Sequence, residues 1–313
     1  MNWSQVAVEI SKMTSGPVRT CEPLKGHTTM RVGGDARIFA RPSDLEEVTR
    51  VVSWARRRDL PIYILGGGSN LLISDDGVQG IVIKTTSGLA ELNEPVAETD
   101  GIRVEAGAGV MLGKLLTRSV EWELTGLEPL AGIPGTVGGA VVMNAGVGEL
   151  EMGHRVVDVL ICDGDGIVKK LAAEQCEFGY RDSVFQHQLS DAVILSAAIL
   201  LQRGQKEEIQ AGIRSRLHDR SERQPRGYPS AGSVFRNPPG ASAGYLIDAA
   251  GWKGRRSGGA QVSPLHANFI INRGDATAGD IARLIAGIRE SVQDQFEVHL
   301  ELELETWGVI DAL

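Results

Sequence analysis

The chain has 313 residues, 42% of them hydrophobic, and a formal net charge of -8 at pH 7 from 40 acidic and 32 basic side chains. This length predicts two or three domains of roughly 100 to 200 residues each. The acidic balance disfavours a nucleic-acid partner, because such binding requires clustered Lys and Arg. No signal segment opens the sequence and no apolar run reaches the roughly 18 residues of a membrane span, so we expect a cytoplasmic protein without a membrane partner.

The cysteines and histidines predict no metal site. Cys21, Cys162 and Cys176 are odd in number and lack C-x-x-C spacing, which argues against a disulfide framework or a zinc site. We expect all three to be buried free thiols. The six histidines lack the paired spacing of metal ligands.

The first predicted elements are a strand, a helix and a second strand. Residues 26–41 contain a double glycine and lead into a short apolar strand. Ser43 and Glu46 have the spacing of a capping box at the start of a helix. Strand 62–65 then ends in a first glycine-rich stretch, residues 65–70.

Two glycine-rich stretches predict a bound ligand. In residues 65–70, three glycines follow a strand, so that backbone amides can face a phosphate beside the side chains of Ser69 and Asn70. Residues 126–146 carry six glycines and two prolines but almost no charge, and glycine allows backbone to approach a ligand closely. Neither stretch has Rossmann or P-loop spacing. Each alone is equally typical of a structural turn, but together they favour an extended ligand such as a dinucleotide.

Further elements follow in the middle of the chain. The pattern predicts a helix over about 111–122 and a β-hairpin whose turn is Asp163–Gly166. An apolar strand over 192–201 precedes a charged helix over 205–223.

The last third of the chain predicts another helix and a closing strand. Thr277 and Asp280 have capping spacing before a helix with one apolar face. Residues 298–305 alternate strictly between apolar and polar side chains, as in a strand with one buried face. The apolar face comprises Val298, Leu300, Leu302 and Leu304, and the polar face His299, Glu301, Glu303 and Glu305.

A dinucleotide ligand with neither a metal site nor a nucleophile motif indicates flavin redox chemistry. The protein must then supply charge and a proton, and the candidates are Arg181, Ser233 and one of the terminal glutamates. An interdomain ion pair would equally explain Arg181, and a turn hydroxyl would explain Ser233. Spacing alone does not choose among the three glutamates, which also fit a solvated strand face.

Six motifs in this order closely resemble the UDP-N-acetylenolpyruvoylglucosamine reductase family, from about residue 20 to 308. They are residues 27–34, 65–72, 132–140, 180–183, 230–238 and 300–303. The short run after Tyr180 resembles the branch of the family without a tyrosine-bearing insertion. The family reduces UDP-N-acetylglucosamine enolpyruvate in peptidoglycan precursor synthesis, using FAD and NADPH.

The resemblance implies an α+β fold with an α/β N-terminal lobe. It comprises a two-lobe FAD-binding domain of the vanillyl-alcohol-oxidase type and a C-terminal α+β substrate domain. The implied boundaries are 1–85 for the first lobe, joined by the C-terminal strand 304–313, then 86–204 for the second lobe and 205–303 for the substrate domain. A monomer is expected.

The resemblance also assigns roles to residues. The implied catalytic set is Arg181, Ser233 and Glu303, where the family motif Leu-Glu-x-Glu selects Glu303. The implied FAD-binding residues are Arg31, Gly66, Gly67, Gly68, Ser69, Asn70, Pro134, Gly135, Thr136, Gly139 and Asn144. The implied substrate-binding residues are Tyr180, Arg223, Asn237 and His266.

Two alternatives remain at this point. One is another FAD-dependent oxidoreductase, acting on a small alcohol or hydroxy acid, which would lack the third region. The other is a non-catalytic nucleotide-binding protein, which would lack Arg181, Ser233 or Glu303.

Overall fold

The computed structural model describes residues 2–148 and 150–311. The helices are α1 (Trp3–Ser11), α2 (Leu45–Arg56), α3 (Thr85–Gly88), α4 (Leu112–Glu121), α5 (Val137–Val142), α6 (Lys206–Arg223), α7 (Ala243–Ala249) and α8 (Ala278–Phe296). The strands are β1 (Val18–Pro23), β2 (Asp35–Ala40), β3 (Ile62–Leu65), β4 (Leu71–Ile73), β5 (Val78–Lys84), β6 (Val96–Glu98), β7 (Gly101–Gly107), β8 (Leu124–Thr125), β9 (Gly146–Val147), β10 (Leu150–Glu151), β11 (Val156–Cys162), β12 (Val168–Ala172), β13 (Val193–Arg203), β14 (Arg256–Ser257), β15 (Ala260–Val262), β16 (Ile270–Asn272) and β17 (Glu305–Trp307). Within the described ranges, no helix combines the length and apolarity that a membrane crossing requires.

The chain divides into two compact units. Unit 1 comprises Met1–Thr20, Ile38–Gly67 and Gly80–Asp219, and unit 2 comprises Cys21–Arg37, Gly68–Gln79 and Arg220–Leu313. Each unit has its own cluster of buried hydrophobic residues. The three-part division implied by the resemblance stays a prediction.

The main sheet of unit 1 is antiparallel, in the order β12-β11-β13-β7-β6, and β8 pairs with β13. Strand β13 is an apolar run that is buried along most of its length, as expected for a strand covered on both faces. The predicted hairpin is confirmed, because β11 and β12 pair on either side of Asp163–Gly166. Strands β3 and β5 pair in parallel, with Leu65 opposite Lys84.

Helix α2 is capped one residue later than the sequence pattern predicts. Its N-cap is Asp44, whose carboxylate accepts the N–H of Glu47 at 2.7 Å. The predicted capping pair of Ser43 and Glu46 is therefore wrong. The same three-residue spacing occurs one position on, and that register turns Val48, Val52 and other apolar side chains into the core.

Glu47 is a buried carboxylate that stabilises this helix start. Burial alone would raise the pKa of Glu47, but hydrogen bonds from the N–H groups of Ser43 and Ser15 and from the Thr14 hydroxyl outweigh it and lower the pKa to about 2. A carboxyl whose pKa is lower in the folded chain stabilises the fold at pH values above its unfolded pKa of about 4.5. That stabilisation is lost as the pH falls towards 2.

We therefore expect Glu47→Gln to lower the free energy of unfolding by roughly 2 kcal/mol at pH 7. The difference in the free energy of unfolding from the unsubstituted protein should shrink as the pH falls below 4.5, because the Glu47 carboxylate then stabilises the native fold less. Urea unfolding across pH measures this, with Glu46→Gln at the neighbouring exposed position as the control. If Glu47→Gln lowered the free energy of unfolding by the same amount at every pH, the explanation would be contradicted.

Unit 2 contains the antiparallel sheet β14-β15-β16 and the long helix α8. The predicted cap is confirmed, since Thr277 and Asp280 form a capping box. The predicted apolar face of α8 is also buried: Ile281, Leu284, Ile285, Ile288 and Val292 are at most 3% exposed.

The closing segment keeps the predicted alternation but not the predicted strand. Leu300 and Leu304 are buried in the core of unit 2, with Val298 and Leu302 packed against it. Regular strand pairing is confined to β17, which pairs in parallel with β4, and a single bridge joins Leu302 to Phe235. The continuous strand predicted over 298–305 is thus wrong, because most of this extended segment has no ladder partner. The pairing with β4 brings the closing segment beside residues 71–73, and the assignment of 304–313 to the first lobe stays a prediction.

The cysteines differ in their exposure. Cys162 and Cys176 are buried, and burial raises the pKa of the Cys176 thiol to about 11. Cys21 is exposed on β1, so the expectation of a buried thiol is wrong there. It lies in a run of exposed residues on a strand that carries no alternating apolar pattern.

Candidate active site

Gly66 and Gly67 of the first glycine-rich stretch pack against the second stretch within unit 1. A Cβ atom added at Gly66 would lie 2.4 Å from Thr136 Oγ1, and one added at Gly67 would lie 2.9 Å from the Cα of Gly135. Backbone can approach this closely only where side chains are missing. The prediction that both stretches serve one site gains support from this contact, which the sequence alone could not reveal.

The second stretch is fixed by its own hydrogen bonds. Thr136 caps α5 and accepts the N–H of Gly139, while the N–H of Gly138 donates to Ala108 O at 2.8 Å. A Cβ at Gly138 would also lie 2.8 Å from the Cβ of Ala108. Gly138 is therefore a close-packing glycine, and its amide does not face a ligand as the composition of the stretch suggested.

Lys84 adds a cation to the first glycine stretch. Its Nζ donates to Gly66 O at 2.6 Å, from the register position opposite Leu65. Burial, assisted by the positive charge of Arg41, lowers the pKa of Lys84 to about 8. No motif in the sequence marks Lys84. Its only local signal is a lysine at the end of an apolar strand, and the pairing of β3 with β5 is what brings it to the loop.

Arg181 is held tightly in unit 1. Its backbone lies in the left-handed region, with φ of 54°. The guanidinium donates to Glu151 Oε1 at 3.1 Å, to Asn144 O at 3.4 Å and to Gly146 O. The ring of the exposed Tyr180 lies 5.1 Å from the guanidinium carbon. A non-glycine residue in this conformation costs about 1–3 kcal/mol, and such residues cluster at functional sites.

Asn144 supports the arginine loop. It is buried and also has positive φ, 41°. Its amide nitrogen donates to Glu151 Oε2 and to Gly179 O, both at 2.8 Å, and its Oδ1 accepts the N–H of Gly153. The Asn144 side chain is thus hydrogen-bonded to other groups of the protein. Its contact with the cofactor stays a prediction.

Ser233 and Glu303 lie on bonded segments of unit 2. Ser233 forms a bridge with Phe269, and the next residue, Val234, accepts the N–H of Glu303 at 2.9 Å through its carbonyl oxygen. Glu303 is half-buried, whereas Glu301 is exposed. Two of the three predicted catalytic residues are therefore close in the fold although they are 70 positions apart in the sequence.

Asn70 links the first glycine stretch to Glu303 within unit 2. Its side-chain nitrogen donates to Glu303 O at 2.9 Å, and its own carbonyl accepts the N–H of Glu305 at 2.9 Å. Gly68 packs against His27, because its added Cβ would lie 2.2 Å from that carbonyl oxygen. The predicted cofactor loop therefore also fixes the backbone that carries the predicted acid.

The remaining predicted residues are also placed in the units. Arg31 has φ of 58° in unit 2. Asn237 Oδ1 accepts the N–H of Ala243 at the start of α7, at 3.0 Å. Burial lowers the pKa of His266, and the charge of Lys253 acts in the same direction. Arg223 is the exposed last residue of α6.

The residues of the two glycine-rich stretches fit a dinucleotide with a diphosphate. Residues 66–70 and 134–139 contain no carboxylate, and Lys84 lies beside Gly66. The N–H groups of Gly138 and Gly139 are bonded to Ala108 and Thr136, but glycines without side chains still let backbone approach a ligand closely. These are the features that an anionic ligand requires.

The comparisons with known proteins agree with this geometry. A family model described as FAD binding domain matches residues 36–172, and one described as UDP-N-acetylenolpyruvoylglucosamine reductase, C-terminal domain, matches residues 224–307. The UDP-N-acetylenolpyruvoylglucosamine reductase of Moorella thermoacetica is 45% identical over 308 residues, which cover 98% of this chain and 99% of that protein. The chain belongs to the UDP-N-acetylenolpyruvoylglucosamine reductase family.

Other relatives extend this result. The UDP-N-acetylenolpyruvoylglucosamine reductase of Bacillus subtilis is 38% identical over 97% of this chain and 98% of its own length. The crystal structure of UDP-N-acetylenolpyruvylglucosamine reductase from Thermus caldophilus superposes with a TM-score of 0.76 at 36% identity, covering 94% of this chain and 99% of that one. The predicted family and fold class of this reductase-family member are confirmed.

Gly66→Ala tests the contact between the two stretches. The added methyl group would displace Thr136, and overpacking of this kind costs about 1–3 kcal/mol. We expect FAD affinity to fall at least about tenfold, measured by fluorescence titration of the apoprotein. Gly113→Ala is the control, because a Cβ at that exposed helical position meets nothing within 4 Å. Unchanged FAD affinity in Gly66→Ala would contradict the assignment of this contact to the cofactor site.

Proposed function

We propose that this protein catalyses the NADPH-dependent, FAD-mediated reduction of UDP-N-acetylglucosamine enolpyruvate to UDP-N-acetylmuramate, a step in the synthesis of peptidoglycan precursors. The observation that carries the proposal is the 45% identity to a named reductase over nearly the full length of both chains. The match over 224–307 favours this function over the flavin oxidase alternative, which would lack that region.

When bound, FAD would supply the hydride-transfer chemistry between NADPH and the terminal methylene carbon of the enol ether. As the hydride adds to this carbon, the electron pair of the double bond moves to C2 and the carboxylate, and a proton must then be added to C2. The protein has to hold the developing charge and deliver the proton. The residues proposed for the cofactor are Arg31, Gly66 to Asn70, Pro134 to Thr136, Gly139 and Asn144.

Arg181 is proposed to hold the substrate carboxylate. A guanidinium keeps its charge at all relevant pH values and binds a carboxylate through two parallel N–H donors. The interaction strengthens as the substrate becomes a dianionic enol, so it favours the transition state over the ground state. The three hydrogen bonds that fix the guanidinium support this role, because a preorganised donor need not reorient during the reaction.

Ser233 is proposed to donate the proton to C2. A serine hydroxyl is a weak acid in water, but an enediolate-like intermediate is a strong base, and a proton relay then returns a proton to the serine oxygen. Glu303 is proposed to act in its protonated form, since an ionised carboxylate would repel the substrate carboxylate. The hydrogen bond between Val234 and Glu303 supports joint action of the two side chains, because it places their segments together.

Substrate recognition and cellular context belong to the same proposal. Tyr180, Arg223, Asn237 and His266 are proposed to contact the sugar nucleotide. The protein is proposed to act as a cytoplasmic monomer, and its net charge of -8 supports a small-molecule partner over nucleic acid.

A steady-state assay tests the proposed function. The purified protein should carry a yellow flavin, and it should oxidise NADPH continuously, beyond the one equivalent that reduces the flavin, only when UDP-N-acetylglucosamine enolpyruvate is added. The product should be UDP-N-acetylmuramate by mass spectrometry. Oxidation of NADPH at the same rate without the substrate, or an unchanged substrate after complete oxidation, would overturn the proposal.

A further inference from the structure

Glu151 is the anionic partner of Arg181. Its Oε1 accepts from the guanidinium at 3.1 Å, and the side chains of Arg181 and Glu151 are only 16% and 17% exposed. An ion pair shielded to this degree is less screened than a surface pair and has a defined geometry. No sequence motif marked Glu151, which lies 30 residues before the arginine.

The carboxylate of Glu151 is itself held from other sides. Its Oε2 accepts from the amide of Asn144 at 2.8 Å, and its side chain accepts the N–H of His154 in a capping box. The His154 ring in turn accepts the N–H of Glu151 at 3.1 Å. The orientation of Glu151 is therefore fixed independently of Arg181.

Asn144 joins the two ends of this network. It bonds Glu151 through its amide and Gly179, two residues before Arg181, through the same nitrogen. Both Asn144 and Arg181 have left-handed backbone conformations. Such conformations persist only where the surroundings hold them, and the hydrogen bonds of Glu151 and Asn144 supply that support.

We propose that Glu151 is a positioning residue for Arg181, which fixes the direction of the guanidinium towards the substrate carboxylate. This inference rests on the proposed function. Without Glu151 the guanidinium keeps its charge but loses its fixed direction, and misplacement of a catalytic group by about 1 Å is enough to slow a reaction by roughly 10²-fold. The effect should therefore appear in the step that uses the substrate and not in the reduction of the flavin by NADPH.

Anaerobic stopped-flow measurement of the two half-reactions tests the inference. In Glu151→Ala we expect the rate of flavin reduction by NADPH to stay within about twofold of that of the unsubstituted protein. The rate of flavin reoxidation by UDP-N-acetylglucosamine enolpyruvate should fall at least about tenfold. Glu151→Gln keeps the size of the side chain and one acceptor oxygen. Its rate of flavin reoxidation should therefore lie between the rates of the unsubstituted protein and of Glu151→Ala. It also serves as the test variant if Glu151→Ala does not fold.

Asp158→Ala is the matched control. Asp158 pairs with Arg103 at 2.7 Å in the same unit, and these side chains are 16% and 18% exposed, almost as shielded as the Arg181–Glu151 pair. Asp158→Ala should lower the melting temperature and leave the rates of both half-reactions within about twofold of those of the unsubstituted protein. Equal slowing of both half-reactions in Glu151→Ala, or no slowing in either, would overturn the inference.

The double variant separates this inference from the proposed function. If Glu151 acts through Arg181, then Arg181→Ala with Glu151→Ala should reoxidise no more slowly than Arg181→Ala alone. Additive slowing would overturn the positioning role. If Arg181→Ala itself reoxidises at the normal rate, the proposed function of the arginine fails; if only Glu151→Ala does so, the positioning inference alone fails.

Discussion

Ser233→Ala is expected to leave reduction of the flavin by NADPH intact and to slow its reoxidation by UDP-N-acetylglucosamine enolpyruvate by about 10²- to 10⁴-fold, the usual contribution of a positioned proton donor. The hydroxyl is the proposed source of the C2 proton, and NADPH oxidation does not need it. Rapid mixing of the prereduced variant with substrate measures the step directly.

Ser233→Ala should remove the hydroxyl without changing the backbone around residue 233. The segment is fixed by hydrogen bonds between Val234 and its neighbours Asn268 and Glu303, which involve main-chain atoms and survive removal of the hydroxyl. Ser233→Cys is the companion variant, because a thiol of similar size can still donate a proton. Normal reoxidation in Ser233→Ala would exclude Ser233 as the donor.

Arg181→Lys should lower kcat by about 10²- to 10³-fold, the usual cost of removing one donor to a developing oxyanion. Lysine keeps the charge but loses the planar fork. A single ammonium group cannot reproduce the contacts that the guanidinium makes with Glu151, Asn144 and Gly146 in the same geometry. Steady-state kinetics with varied substrate would give kcat and KM separately.

Arg181→Met extends this test by removing the charge as well. It should be slower than Arg181→Lys, and both variants should accept hydride from NADPH at the normal rate. A lysine variant with unchanged kcat would mean that the arginine serves only as a structural ion pair, which is the alternative that the sequence left open.

The sequence predicts most of the local structure, because caps, turns and hydrophobic periodicity are local signals. The cap at Thr277, the hairpin around Asp163–Gly166 and the apolar face of α8 were all recognisable in this way. The failures have local causes too. The capping register at Ser43 was ambiguous by one residue, and the alternation over 298–305 describes burial without specifying a ladder partner.

The candidate site is less accessible to sequence reasoning because its contacts are tertiary. The glycine stretches could be identified, but the contact of Gly66 with Thr136 depends on the fold. Lys84 and Glu151 carry no motif and become significant only through their partners, Gly66 and Arg181. Glu303 was selected through the family motif, and the structure adds that it is half-buried and bonded to the Ser233 segment.

The most direct test of the central claim is a single-turnover experiment with the FAD-loaded protein. The flavin is reduced by one equivalent of NADPH without oxygen and is then mixed with UDP-N-acetylglucosamine enolpyruvate. We predict complete return of the oxidised flavin spectrum with one equivalent of UDP-N-acetylmuramate formed. A flavin that stays reduced in the presence of this substrate would contradict the account.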